Sequence, residues 1–290
     1  MTSNIVQGLW IGERLSLMEQ LSIASFLHHG HAFHLYTYGP CEGVPPGTQV
    51  KDGREILPEG EIFRFRSGYG KGSPAAFSDL FRWVLLFQRG GWWVDLDVVA
   101  LRPFRFEADC VLGLANGSRG RPRIAAGVLH VPPGSRLMER CVEMALSTDR
   151  SRVQWGEIGP SLLGRMAKEV GIEAALQPPP VFYPFDAKDF WRFIRPGYGV
   201  GDAVAVHLWA QLWRHYGLDP AGRYPERSLY EQLLSGYLPE ASAASRPRVS
   251  VLAAELRSIP KRATTGAWFL WNKRLRPRLF GPGTRAGPVS

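Results

Sequence analysis

The chain has 290 residues, 45% of them hydrophobic and 21% charged, which excludes wholesale disorder and leaves material for one large domain or two small ones. Its formal charge of +9 invites a nucleic-acid reading, but residues 241–290 hold ten Lys or Arg against the single acid Glu255. Those fifty residues carry the whole excess, so residues 1–240 sum to zero and nucleic acid is not expected as a partner.

The predicted elements run in order. "NIVQGLWI" reads as a short buried strand. "ERLSLMEQLSIASFLHHG" has apolar residues at 15, 17, 18, 21, 24 and 26, close to helical spacing, and stops at Gly30. "HAFHLYTYG" then alternates as a strand does, completing a strand-helix-strand unit of the mononucleotide-binding type. Residues 39–60 are rich in Pro and Gly and read as a loop. A helix follows, with Ser73 as its cap, Pro74 at its first position and Gly90-Gly91 at its end. "WWVDLDVV", "DCVLGLA" and "AAGVLHV" are strands, "SRLMERCVEMAL" and "PSLLGRMAKEVG" helices, "DAVAVHLWA" a late strand and "PERSLYEQLLSG" a closing helix. This alternation predicts a single α/β domain over 1–240, followed by a basic, aromatic-containing extension over 241–290. The "AWFLWNKRLRPRLF" segment of that extension suits the surface of an anionic membrane or the binding of polyanions, although a solvated terminal extension fits it as well.

Cys41, Cys110 and Cys141 lack metal-ligand spacing and are expected to be reduced, mostly buried thiols. "MTSNIVQGLWIG" has no signal-peptide pattern, and no window approaches twenty uninterrupted apolar residues. The expected location is cytoplasmic, with peripheral attachment at the inner face of the cell membrane left to the basic extension.

The chemistry concentrates in "SDLFRWVLLFQRGGWWVDLDVV", residues 78–99. If 92–99 is one strand, Asp95 and Asp97 project from the same face. Two adjacent carboxylates repel unless a cation lies between them, and a hard ion such as Mg²⁺ or Mn²⁺ suits them. The Gly, Trp and Val residues before the pair point to burial, where unpaired carboxylates are costly. Asp79 and Arg82, three apart, share a helical face; this spacing fits an intrahelical salt bridge as well as a grip on sugar hydroxyls and phosphate. Trp10 follows the first strand, where an aromatic either packs in the core or stacks on a base. His207 ends a predicted strand, where it is either structural or a further metal ligand.

Taken in order, "LWIG", "AAFSDLFRWVLLFQRGGWWVDLDVV", "AAGVLHVPPGS", "EIGPSLL" and "HLW" resemble the DXD-containing sugar transferases of glycosyltransferase family 32, and also the glucosyltransferase domains of the large clostridial toxins. The resemblance covers about 200 residues. It implies a GT-A fold, that is, a Rossmann-like mixed sheet flanked by helices in a single catalytic domain. It also implies a nucleotide-sugar donor, with a UDP-sugar expected, a Mn²⁺ or Mg²⁺ cofactor, a saccharide or glycan acceptor and retention of anomeric configuration. By that resemblance Trp10 stacks on the base, Asp79 and Arg82 hold the donor sugar, and Asp97 binds the metal directly. Asp95 contacts the ribose or sugar and reaches the metal mostly through water, while His207 and Trp209 supply a late metal or β-phosphate contact. Two other readings are open. One is a non-catalytic, transferase-like domain that binds saccharide or membrane. The other is a phosphatase with Asp95 as nucleophile, which lacks its expected second acidic motif because Gly201-Asp202 leads into Ala-Val-Ala-Val.

Overall fold

Why the chain places its charged residues where it does follows from one seven-stranded sheet. The computed structural model describes residues 4–117, 121–172 and 175–253. Strands β1 (Ile5–Leu9), β2 (Ala32–Thr37), β3 (Gln49–Asp52), β4 (Gly91–Val94), β6 (Val111–Asn116), β7 (Pro122–Val131) and β8 (Ala175–Gln177) form it in the order β3-β2-β1-β4-β7-β6-β8. The four strands from β3 to β4 are parallel, and β7 runs antiparallel to both β4 and β6. The mixed sheet flanked by helices expected from the sequence is therefore the observed architecture.

The predicted strand-helix-strand unit forms as β1, α1 (Leu17–His28) and parallel β2. A reciprocal cap starts α1: the Ser16 side chain accepts from Met18 N–H, and Glu19 accepts from Ser16 N–H at 2.8 Å. Residues 39–60 are not all loop, because β3 adds an edge strand there; its burial pattern is nearly all exposed, which is why apolar patterning missed it. Helix α2 (Ala75–Arg89) begins one residue later than expected, with Pro74 in the cap position and the Ser73 hydroxyl accepting from Ala75 N–H.

Alternation along β4 splits the two tryptophans. Trp93 enters the core formed with α2, α3 (Arg136–Leu146) and α4 (Pro160–Val170), whereas Trp92 faces the opposite core with Phe26 of α1. Both rings are essentially fully buried.

The largest departure from expectation concerns "WWVDLDVV". It is not one strand. β4 ends at Val94, Asp95-Leu96-Asp97 turn, and β5 (Val98–Ala100) pairs antiparallel with β9 (Ala205–His207) in a separate two-stranded ribbon. Backbone bonding explains the break. Asp95 N–H makes a last rung to Gly127 O at 2.9 Å, and Val98 N–H then closes the turn onto Asp95 O at 2.9 Å. Beyond it, Ser22 and Ser25 of α1 bond to the backbone of Val98 and Ala100, satisfying groups that the main sheet no longer pairs.

The closing helix α7 (Leu229–Tyr237) forms as predicted, and the chain beyond residue 240 still packs on the body. Arg246 makes a buried ion pair with Glu231, Arg223 N–H donates to Pro247 O, and Val249 N–H donates to Arg223 O. The remainder of the basic extension, 254–290, lies outside the described residues. Among the described residues no helix is long and apolar enough to cross a membrane. The three cysteines are free; Cys141 is buried, whereas Cys41 and Cys110 are only half-buried.

Candidate active site

The sheet winds outward in both directions from β1, to β2 on one side and β4 on the other, so the ends of β1 and β4 flank a switch point. Trp10 follows the end of β1 and Asp95 the end of β4. A cavity of about 1380 Å³ opens over this edge, and Trp10, Asp79, Arg82, Asp95, Asp97, His207 and Trp209 all line it. Every residue singled out from the sequence therefore meets in one place.

At its floor, Arg82 is the hub. Its guanidinium lies 2.9 Å from Asp95 Oδ1 and 3.2 Å from Asp79 Oδ1, and it also donates to the Ala126 carbonyl. Trp93 Nε1–H donates to the same Asp95 oxygen at 2.9 Å, and Arg82 sits over the Trp93 ring. Arg82 and Asp79 are thus the expected intrahelical pair, but the pair is buried and extends to β4. Asp79 lies so deep that burial pushes its carboxyl up to about 7; Arg82 pulls it down and Asp95 adds to the rise. The chain is pressed tightly on this carboxylate: a Cβ on Gly159 would sit 2.3 Å from Asp79 Oδ2.

Asp97 reaches the same space from the other side of the turn. Its Oδ1 lies 3.1 Å from His207 Nε2, its Oδ2 accepts from Ala210 N–H at 2.7 Å, and its carbonyl accepts from Leu208 N–H at 2.8 Å. Burial raises the Asp97 carboxyl, but His207 and the Ala210 hydrogen bond outweigh it and hold the group below the usual carboxylate range. For His207 burial acts downward and is overcome by Asp97 and Asp95, so the imidazole holds its proton above its ordinary value.

Asp95, Asp97 and His207 each offer one ligand atom, all within 4.8 Å of one another. The donor set suits a divalent ion. Ligands bound at about 2.1 Å lie roughly 3.0 Å apart when adjacent on an octahedron and about 4.2 Å when opposite. The His207 Nε2 distances of 3.1 Å to Asp97 and 4.0 Å to Asp95 fall within that range. Asp97 and Asp95 come together through a turn and a second ribbon, not through the shared face of a strand as expected.

Trp209 follows His207 in the left-handed region, with φ 61° and ψ 51°, and is alone among the described non-glycine residues in a positive φ. That bend stacks its ring edge-on against His207, centroids 4.2 Å apart, and aims the start of α6 (Ala210–Tyr216) at Asp97. Trp10 is held by its backbone N–H to Tyr36 O at 2.9 Å, while its buried indole N–H has no partner among the described residues.

Three further residues complete the floor. The Tyr183 hydroxyl is buried without a partner among the described residues, and burial together with Asp95 raises it far above the ordinary phenol value. Gly127 leaves room for it: a Cβ there would lie 3.1 Å from both Asp95 Oδ2 and the Tyr183 hydroxyl. Gly159 does the same for Asp79. Gly127 and Gly159 fall within "AAGVLHVPPGS" and "EIGPSLL", but what makes each position matter is the side chain that approaches it from another element.

No protein-family model and no curated protein matches the sequence. Among solved structures the chain is similar to one described as PaToxG Glycosyltransferase, at 14% identity and a TM-score of 0.45 over 58% of this chain and 69% of that one. It is also similar to the apo-form glycosyltransferase GlyE of Streptococcus pneumoniae TIGR4, at 13% identity and a TM-score of 0.46, covering 91% of this chain and 64% of GlyE. The chain thus spans somewhat less than two thirds of GlyE's length. Likenesses this distant decide no chemistry, which stands on the geometry of the site.

Proposed function

We propose that this protein is a metal-dependent glycosyltransferase that moves a hexose from a nucleotide-sugar, expected to be a UDP-sugar, to a saccharide or glycan acceptor. The convergence of Asp95, Asp97 and His207 beside the buried Arg82–Asp79 pair, in a cavity at the carboxyl edge of the sheet, is the observation that carries this reading.

Asp97 is the direct metal ligand, His207 a second, and Asp95 binds mostly through water while Trp93 and Arg82 orient its Oδ1. When bound, Mn²⁺ or Mg²⁺ supplies Lewis-acid stabilisation of the negative charge that grows on the leaving diphosphate. Arg82 spreads its charge between the sugar site and Asp95. Asp79 takes part in hydrogen bonds with sugar hydroxyls, in a pocket that Gly159 keeps narrow. Trp10 stacks on the base across the end of β1, and Trp209 stands on the phosphate side, its ring fixed against His207. Retention of anomeric configuration, by front-face attack of the acceptor hydroxyl, belongs to the same proposal.

A calorimetric panel of UDP- and GDP-sugars with and without Mn²⁺ tests the reading. One donor is expected to bind in the presence of the ion and to lose most of its affinity in Asp97→Ala. If that variant binds and hydrolyses the donor as well as the parent does, the metal assignment is wrong.

A further inference from the structure

Two walls of the cavity run outward from the floor, and both change sign on the way. α4 follows Gly159, which lies against the Asp79 carboxylate, and lines the cavity with Ser161, Gly164, Arg165 and Lys168, which share one helical face. At about 1.5 Å per residue, Arg165 lies about 9 Å and Lys168 about 13 Å along the axis from Gly159. β7 makes the second wall. Gly127 borders Asp95 Oδ2, and Arg123, four residues away along an extended strand, is about 13 Å from it. The carboxylates therefore sit at the floor and three cations at the mouth.

Among the described residues these cations have no counter-charge. Arg123, Arg165 and Lys168 line the cavity, are exposed, and have no side-chain partner among the described residues, whereas Lys188 and Arg214 on the same cavity face Asp186 and Glu19. They also stand on the far side of the reacting centre from the base. In the order β1-β4-β7, Trp10 belongs to one flank of the metal cluster and Arg123 to the other. The donor's diphosphate is met at the floor by the metal cluster and its sugar by Arg82 and Asp79, which leaves the outer cations to the second substrate. Unpaired cations of one sign lining a single cleft add their fields and attract an anion into it.

We infer that the acceptor is an anionic saccharide, carrying a phosphate or carboxylate that Arg165, Lys168 and Arg123 engage while its hydroxyl reaches the donor sugar. This assignment rests on the glycosyltransferase reading. It makes the mouth of the cavity the element that selects the acceptor by charge.

The test holds the donor site saturated with UDP and Mn²⁺ and titrates three probes: neutral N,N′-diacetylchitobiose, its 1-phosphate and a glucuronate-containing disaccharide. At least one charged probe is expected to bind about tenfold or more tighter than N,N′-diacetylchitobiose, and its advantage shrinks as salt rises toward about 0.5 M. The two charged probes distinguish phosphate from carboxylate. Arg165→Glu/Lys168→Glu is expected to remove that advantage and leave UDP affinity unchanged. Both positions are exposed and glutamate is a good helix former, so the variant keeps its fold, with retained UDP binding as the check. Equal binding of neutral and charged probes overturns the inference. So does a loss of UDP affinity as large as the loss for the probe, because the cations then serve the donor. If the parent protein binds no nucleotide-sugar, the donor reading fails, and the probe preference measured without nucleotide separately decides whether the anion site exists.

Discussion

Asp79→Asn separates what this carboxylate does for the fold from what it does for function. Burial holds the Asp79 carboxyl at about 7, against 3.8 for an unhindered aspartate, and its side chain is only 12% exposed. A folded value above the unfolded one means that the folded state binds the extra proton. The associated stability is fully present below about pH 4 and is lost as pH rises through about 7. The gap of roughly three pH units corresponds to an order of 4 kcal/mol of destabilisation at pH 8. Asparagine keeps the shape and an acceptor for Arg82 without the charge, and Arg82 retains Asp95 as its counter-ion at 2.9 Å, so no buried cation is orphaned. Urea unfolding of parent and variant from pH 4 to pH 8, without donor or metal, reads the effect. The two stabilities are expected to be similar near pH 4, with the variant gaining several kcal/mol by pH 8 while its donor hydrolysis falls. Parallel curves over that range, or a variant less stable at pH 8, would refute the reasoning.

Four other outcomes are expected. Mn²⁺ with UDP should raise the melting temperature of the parent, and His207→Ala should weaken Mn²⁺ affinity by about tenfold or more in titrations, because one of three converging ligands is gone. Trp10→Ala should weaken nucleotide binding by about tenfold, the scale of one lost base stack, with Mn²⁺ affinity unchanged; equal affinity for UDP would show that this ring does not stack. Gly127→Val should abolish donor hydrolysis, since its first side-chain carbon would already stand 3.1 Å from Asp95 Oδ2 and the Tyr183 hydroxyl, and undiminished turnover would show that the floor is not packed as described.

What residues 78–99 determined by themselves was which groups carry chemistry. Asp79, Arg82, Asp95 and Asp97, set in a run of Leu, Phe, Trp and Val, are too costly to bury without partners, so their presence alone pointed to a site. The strand-helix-strand start was legible for a similar reason: hydrophobic spacing in "LSLMEQLSIASFL" and alternation in "HAFHLYTYG" are local signals. Local signals also misled. "WWVDLDVV" has the composition of one strand, yet the backbone beyond Val94 finds better partners in Ser22, Ser25 and β9, some 75 to 110 residues away, and the aspartates fall in the turn between two sheets. Tertiary structure alone decided that His207 closes on Asp97, that Arg82 bridges Asp79 to Asp95, and that Gly127 and Gly159 leave no room for a side chain. The His207 and glycine contacts join elements far apart in the chain, so no window of local sequence contains both members. Asp79, Arg82 and Asp95 do share one stretch, but only the turn after β4 brings Asp95 back onto the helix.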